Sequence, residues 1–156
     1  MKFRRLTIEE LKGLEQEFVQ FLAANTITGA DWKKLKTEEL EKANNLIDVF
    51  SDLVFEKIIK NIQFLEFKTA NDVKIFHCKE EEIILLGLQN KKGSTIDLSD
   101  KAQLNKAINS SNIPLQVYGA QKKYSPDRAQ ELFKMIENGA RIAKDGALFK
   151  ALEALQ

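Results

Sequence analysis

His77 and Cys78 are the only histidine and the only cysteine of the 156-residue chain, and they are neighbours. A nucleophilic thiol needs an imidazole within hydrogen-bond reach. The stretch Val73 to Cys78 reads as a strand, however, and adjacent strand residues point to opposite faces. Without a bulge the two cannot address one substrate or one metal. Nor do one cysteine and one histidine supply the four ligands of a structural zinc site. Cys78 is expected as a small core hydrophobe, and His77 on the half-exposed face of the sheet.

Asp48, Asp52 and Glu56 follow one another at four-residue spacing on a predicted helix, which aligns three carboxylates in a stripe. Such a stripe could hold a divalent cation or the carboxylate half of a dinuclear centre. The dinuclear pattern also requires Glu-x-x-His repeats, and the single histidine is on a strand. The expectation is solvation or ion pairing, with Arg4 and Arg5 returning over the helix. Arg4, Arg5, Asp48, Asp52, Glu56 and His77 form the candidate polar site.

Trp32 stands among Lys33, Lys34 and Lys36, and an aromatic ring among cations is how single nucleic-acid strands are gripped. Lys91-Lys92 and Gln121-Lys122-Lys123-Tyr124 with Arg128 add further basic points. Glu38, Glu39 and Glu80 to Glu82 oppose them, so nucleic acid is not expected as a partner. Trp32 is expected to seal a helix junction, and with its three lysines it forms a candidate interaction surface. No GxGxxG, GxxxxGK[ST], GxSxG or HExxH pattern occurs. No catalytic residue is assigned, and neither a cofactor nor a metal is expected.

These side chains must be positioned by elements legible in the hydrophobic pattern. Leu6-Thr7-Ile8-Glu9-Glu10-Leu11 is a complete helix start, with Thr7 as cap, Glu10 reaching back and Leu6 stapled to Leu11. The spacing of Leu11, Leu14, Phe18, Phe21 and Leu22 predicts one helix from Ile8 to about Ala24. Thr28-Gly29-Ala30-Asp31 caps a short helical turn around Trp32. Thr37 is expected to cap a long helix reaching about Asn61, with Leu40, Ala43, Ile47, Phe50, Val54 and Ile58 as its main stripe. Its second half, apolar over more of its circumference, is expected at the centre of the fold and against both the first helix and the sheet.

After Asn61 the period changes to two. Strands are expected at Ile62 to Phe67, Val73 to Cys78 and Ile83 to Gln89. Short turns make them an antiparallel meander, with the unbroken apolar third strand in the middle and covered on both faces. The charged turn Glu80-Glu81-Glu82 is expected to be solvated. Thr95 to Leu98 could return as a hairpin arm, and Ser99 or Asp97 should cap a short helix through Ile108, ended by Asn109 to Asn112. Pro114 to Gly119 reads as an edge strand. Ser125 as cap and Pro126 as first residue should open a further helix, stopped at Asn138-Gly139. Asp145-Gly146 opens a last one carrying Leu148, Phe149, Leu152 and Leu155. The fold class is therefore α+β: N-terminal helices including one long central helix, a mostly antiparallel sheet of three to four strands, and C-terminal helices, in one globular domain spanning 1–156.

Composition agrees with that class. The chain is 44% hydrophobic and 30% charged, far from the signature of disorder. Its 24 basic residues nearly cancel its 23 acidic ones, so no global field draws it to nucleic acid or anionic lipid. The longest apolar run, Ile83 to Leu86, is far below the ~20 residues of a membrane helix. The lone cysteine and the charged, polar N-terminus point to the cytoplasm.

The opening Met1-Lys2-Phe3-Arg4-Arg5-Leu6-Thr7 with its Glu-rich helix, then Phe50-Ser51-Asp52, Ile75-Phe76-His77-Cys78 and Asp145 to Leu152, resembles an uncharacterised family of small bacterial proteins, a domain of unknown function. The resemblance implies a bacterial, cytoplasmic protein and carries over no functional residue. With catalytic motifs lacking and several helices rich in apolar residues, the first expectation is a non-catalytic domain that binds another protein or itself. The alternative is a small-molecule binder or an enzyme of unrecognised type, and the third is a weak nucleic-acid binder.

Overall fold

The Thr7 hydroxyl accepts from the Glu10 N–H at 3.1 Å while the Glu10 carboxylate accepts from the Thr7 N–H at 2.8 Å. This reciprocal cap satisfies two otherwise orphaned donors. In the computed structural model, which describes residues 1–110 and 115–156, that cap opens α1 (Ile8–Gly13). The stretch expected as one helix is two, because Leu14 departs from helical dihedrals (φ −114°, ψ 25°) before α2 (Glu15–Ala24). Thr28 and Asp31 form a second capping box and start α3 (Gly29–Glu38).

Thr37 does not cap the long helix. It lies in the last turn of α3, its hydroxyl donating back to the Lys33 and Lys34 carbonyls at 3.2 Å. The long helix α4 (Leu40–Lys60) begins three residues later. Its buried residues include Ala43, Phe50 and Ser51, with Ile47 and Val54 packed at the margin of the core. Two expected core positions are instead open: Leu40 is 62% and Ile58 41% exposed. Leu40 is the first helical residue, and two steps of four residues from Phe50 to Ile58 rotate the stripe about 80° around a 3.6-residue helix.

The chain divides into two compact units, Met1–Lys60 and Asn61–Gln156. In the first, Leu6, Phe18, Leu22 and Phe50 are the buried cluster. The Phe18 ring meets Phe50 at 5.0 Å and Trp32 at 5.1 Å between centroids, both edge-on, the arrangement that ring quadrupoles favour.

Among the described residues the second unit is a five-stranded antiparallel sheet in the order β4-β3-β2-β1-β5 with three helices. Its strands are β1 (Phe64–Lys68), β2 (Asp72–Cys78), β3 (Glu82–Asn90), β4 (Leu115–Lys123) and β5 (Arg141–Ala143); its helices are α5 (Lys101–Ile108), α6 (Arg128–Glu137) and α7 (Ala147–Ala154). The fold is thus α+β as expected, with one strand more than expected. The additional β5 has only three residues and forms by pairing with β1. β2 is the central strand and β3 its interior neighbour. Leu86, Gly87 and Leu88 of β3 are buried in succession, so both faces are covered there. Gly87 pairs with Tyr118, whose ring lies across it: a Cβ on Gly87 would come within 2.0 Å of that ring.

Thr95 to Leu98 joins no strand; the Leu98 N–H reaches the Ala70 carbonyl at 2.9 Å and its side chain is buried. The cap of α5 is Asp100, not Ser99 or Asp97. The cap of α6 is Asp127, with Ser125 and Pro126 outside the helix. Gly139 follows α6 at φ +110°, which a glycine adopts without strain. Ser111, Asn112 and Pro114, expected as a loop and a strand start, lie outside the described residues.

One face of the sheet, bearing Val73, Ile75, Leu86 and Leu88, forms the core with Leu98, with Leu104 and Ala107 of α5, and with Phe149 and Leu152 of α7. On the other face Leu65, Cys78 and Ile83 are buried. Arg128, at the start of α6, donates to the Ile62 carbonyl at 2.6 Å and to that of Cys78 at 3.2 Å. No helix among the described residues is long and apolar enough to cross a membrane.

Candidate functional site

The acidic stripe of α4 holds the N-terminal segment. Arg5 grips Asp48 with two hydrogen bonds, Nε to Oδ1 at 2.6 Å and a terminal nitrogen to Oδ2 at 3.1 Å. That pair holds the Asp48 carboxyl below the usual carboxylate range. Asp52 accepts the backbone N–H groups of Lys2 and Phe3 at 2.7 and 2.9 Å, and Glu56 pairs with the Lys2 ammonium at 3.0 Å. Between them the buried Ser51 hydroxyl accepts the Leu6 N–H at 2.9 Å. Each carboxylate therefore meets a different group of residues 2–5, which anchors that segment along α4. Among the described residues no three His, Cys, Asp or Glu side chains group as metal ligands.

Arg4 turns away from the stripe, to Glu10 at 2.8 and 3.1 Å, with its guanidinium 4.9 Å from the Phe55 ring centre. Arg4, then the Thr7 backbone, pulls the Glu10 carboxyl down to about 2. His77 belongs to the sheet unit, stacked on Phe64 at 4.7 Å and edge-on to Phe149 at 5.3 Å. Cys78 faces the opposite side of β2 and is buried, which pushes its thiol up to about 11. A thiol held neutral in this way is a poor nucleophile. Trp32 is half-buried against Phe18, with the Lys36 ammonium 5.9 Å from its ring centre, while Lys33 and Lys34 are exposed.

A concave site of the sheet unit lies elsewhere. A trough of about 690 Å3 runs between α5 and α7, with Glu66 and Lys68 of β1 on its floor. Lys101, Leu104, Asn105 and Ile108 form one wall, and Ala147, Leu148 and Ala151 the other, with Lys144 and Asp145 leading into α7. A second hollow of about 410 Å3 shares Glu66 and Lys68 and adds Ser99, Gly139 and Arg141. The register that sets Phe64 beside Ala143 also sets Glu66 beside Arg141, on the face shared with Ile75.

The two hollows carry excess positive charge. Glu66 lies 3.6 Å from the Lys68 ammonium, and one oxygen of Asp145 accepts the Ala147 N–H at 3.0 Å. Lys101, Lys144 and Arg141 have no carboxylate partner among the described residues. Motifs and spacing single out none of these three cations. One signal was available: Lys101 is the first residue of α5 and Lys144 shortly precedes α7, at helix ends where the macrodipole disfavours cations. The rest depended on β5, which joins Arg141 to the floor.

In the helical unit a different concavity, of about 490 Å3, lies between α2 and α4. It is lined by Leu14, Phe21, Phe50, Leu53, Val54 and Ile58, with Glu17 on the α2 bank and Lys57 on the α4 bank.

Neither the curated proteins nor the solved structures hold a match to the chain. One family model, described as "Family of unknown function (DUF6495)", matches residues 1–156.

Proposed function

The chain belongs to that family of unknown function, and on this premise we propose that it is a non-catalytic binding protein holding a small anionic ligand in the trough between α5 and α7. The observation that carries the reading is the gathering of Lys101, Lys144 and Arg141, without carboxylate partners among the described residues, around hollows floored by Glu66 and Lys68. Cations around a concavity raise the local concentration of anions, and a cleft that joins apolar side chains such as Ile108 and Leu148 to convergent polar groups can hold a small molecule. The test is thermal stabilisation by acetate, phosphate, citrate and octanoate at fixed ionic strength. At least one should raise the melting temperature of the wild type and do so much less in the Lys101→Gln/Arg141→Gln/Lys144→Gln variant. Equal shifts in the two proteins, or none in either, would refute the reading.

The apolar groove of the helical unit favours a second reading, docking of an amphipathic helix from another protein. Leu53 and Ile58 at its edge are 49% and 41% exposed, and apolar anchors at i, i+3/i+4 and i+7 are what such a groove accepts. Glu17 and Lys57 on opposite banks suit a helix with basic side chains on one flank and acidic ones on the other. Leu53→Asp should abolish capture of such a helix while leaving anion stabilisation intact; capture unaffected by Leu53→Asp would dismiss this reading.

A further inference from the structure

Building on the reading of the trough as an anion site, we infer that its ligand is an amphipathic anion, with one charged head and an apolar body, rather than a compact inorganic or polycarboxylate anion. The two hollows divide their linings unequally. Glu66 and Lys68 line both. Ser99 lines the smaller and Lys101 the larger, and these two are only two residues apart on the chain. Lys68 thus stands where the hollows meet, with Lys101 on the side of the larger and Arg141 on that of the smaller, while the Ser99 hydroxyl donates to the Asp97 carboxylate at 2.5 Å. That junction is where a carboxylate or phosphate head is received.

Away from the junction the larger hollow changes character. Leu104 and Ile108 stand one turn apart on α5, and Leu148 and Ala151 nearly so on α7, facing each other across the trough. Leu104 is sealed in the core, but Ile108, Leu148 and Ala151 are only half-buried. A compact anion would occupy the junction and leave that apolar wall in water. An apolar body lying along it removes wall and ligand from water together, and the gain grows with each methylene covered.

Glu66 gives the head a directional element. Its carboxylate neighbours Lys68 and repels a second negative charge on the ligand, so one anionic group is favoured over several. Asn105, on the same wall as Ile108, offers a neutral polar contact part of the way along.

Titration calorimetry on the full chain with octanoate below its micelle concentration, acetate and octanol tests the division of labour. Octanoate should bind about tenfold or more tighter than either half, and Arg141→Gln should weaken octanoate about tenfold while leaving octanol unchanged. Ile108→Ser, whose fold is checked by its circular dichroism, should weaken octanoate and leave acetate unchanged. If acetate binds as tightly as octanoate, the amphipathic inference is overturned and the anion site stands. If octanol equals octanoate and Arg141→Gln changes neither, both fall.

Discussion

The hydroxyl of Ser51 serves two backbone groups at once, donating to the Ile47 carbonyl at 2.7 Å and accepting the Leu6 N–H at 2.9 Å. Ser51 is fully buried, so Ser51→Ala would leave the Leu6 N–H without its acceptor inside the fold. An unsatisfied buried donor costs about 1–3 kcal/mol. The denaturant midpoint should fall accordingly with an unchanged slope; an unchanged midpoint would show that the N-terminal segment is not anchored through Ser51. Glu10 adds a pH dependence. Its folded value of about 2 lies below the ordinary 4.5, so its contribution is complete above about pH 4.5 and is lost as pH falls toward about 2. Glu10→Gln should flatten that part of the acid limb of a stability-versus-pH curve. The flattening will be partial, because the side chain is 39% exposed and solvent screens the pair with Arg4.

At the scale of elements, three threonines offered themselves as helix caps and two serve. Thr7 and Thr28 are each followed three residues on by an acid, Glu10 and Asp31, which returns to the cap backbone. Thr37 is followed three residues on by Leu40, which cannot. Replacing Thr28 by alanine should therefore cost about 1 kcal/mol. The same change at Thr37, whose hydroxyl only bonds back to earlier carbonyls, should stay within about 0.5 kcal/mol. Urea titrations of the two variants separate these outcomes, and a larger loss at Thr37 would restore it as a cap. The meander β1-β2-β3 was legible because its turns, Thr69 to Asp72 and Lys79 to Glu82, are short and polar. β5 was not, since three residues of Arg-Ile-Ala carry no period, and only the vacant edge of β1 makes them a strand.

At the scale of the molecule, Trp32 is the only tryptophan and belongs to the unit Met1–Lys60, whereas the five strands belong to Asn61–Gln156. The length of the chain suits one cooperative domain. Unfolding followed by Trp32 fluorescence and by far-ultraviolet circular dichroism should then coincide; two separated transitions would make the end of α4 a domain boundary.

Local chemistry alone determined much of this protein. Two capping boxes, the helical stripes of Phe18, Leu22 and Phe50, the change of period after Asn61 and the opposite facing of His77 and Cys78 all follow from interactions within a few residues. Ion pairing with Arg4 or Arg5 was one of the outcomes expected for the acidic stripe, beside solvation, and the structure shows it for Arg5 with Asp48. Tertiary structure alone decided which backbone groups that stripe would hold, that Arg4 would pair with Glu10, and that Lys68 would share one hollow with Lys101 and the other with Arg141. Those cations lie far apart in sequence and share no period. Only the antiparallel register of β1 with β5 and the packing of α5 and α7 on one sheet face bring them to two hollows that share Glu66 and Lys68.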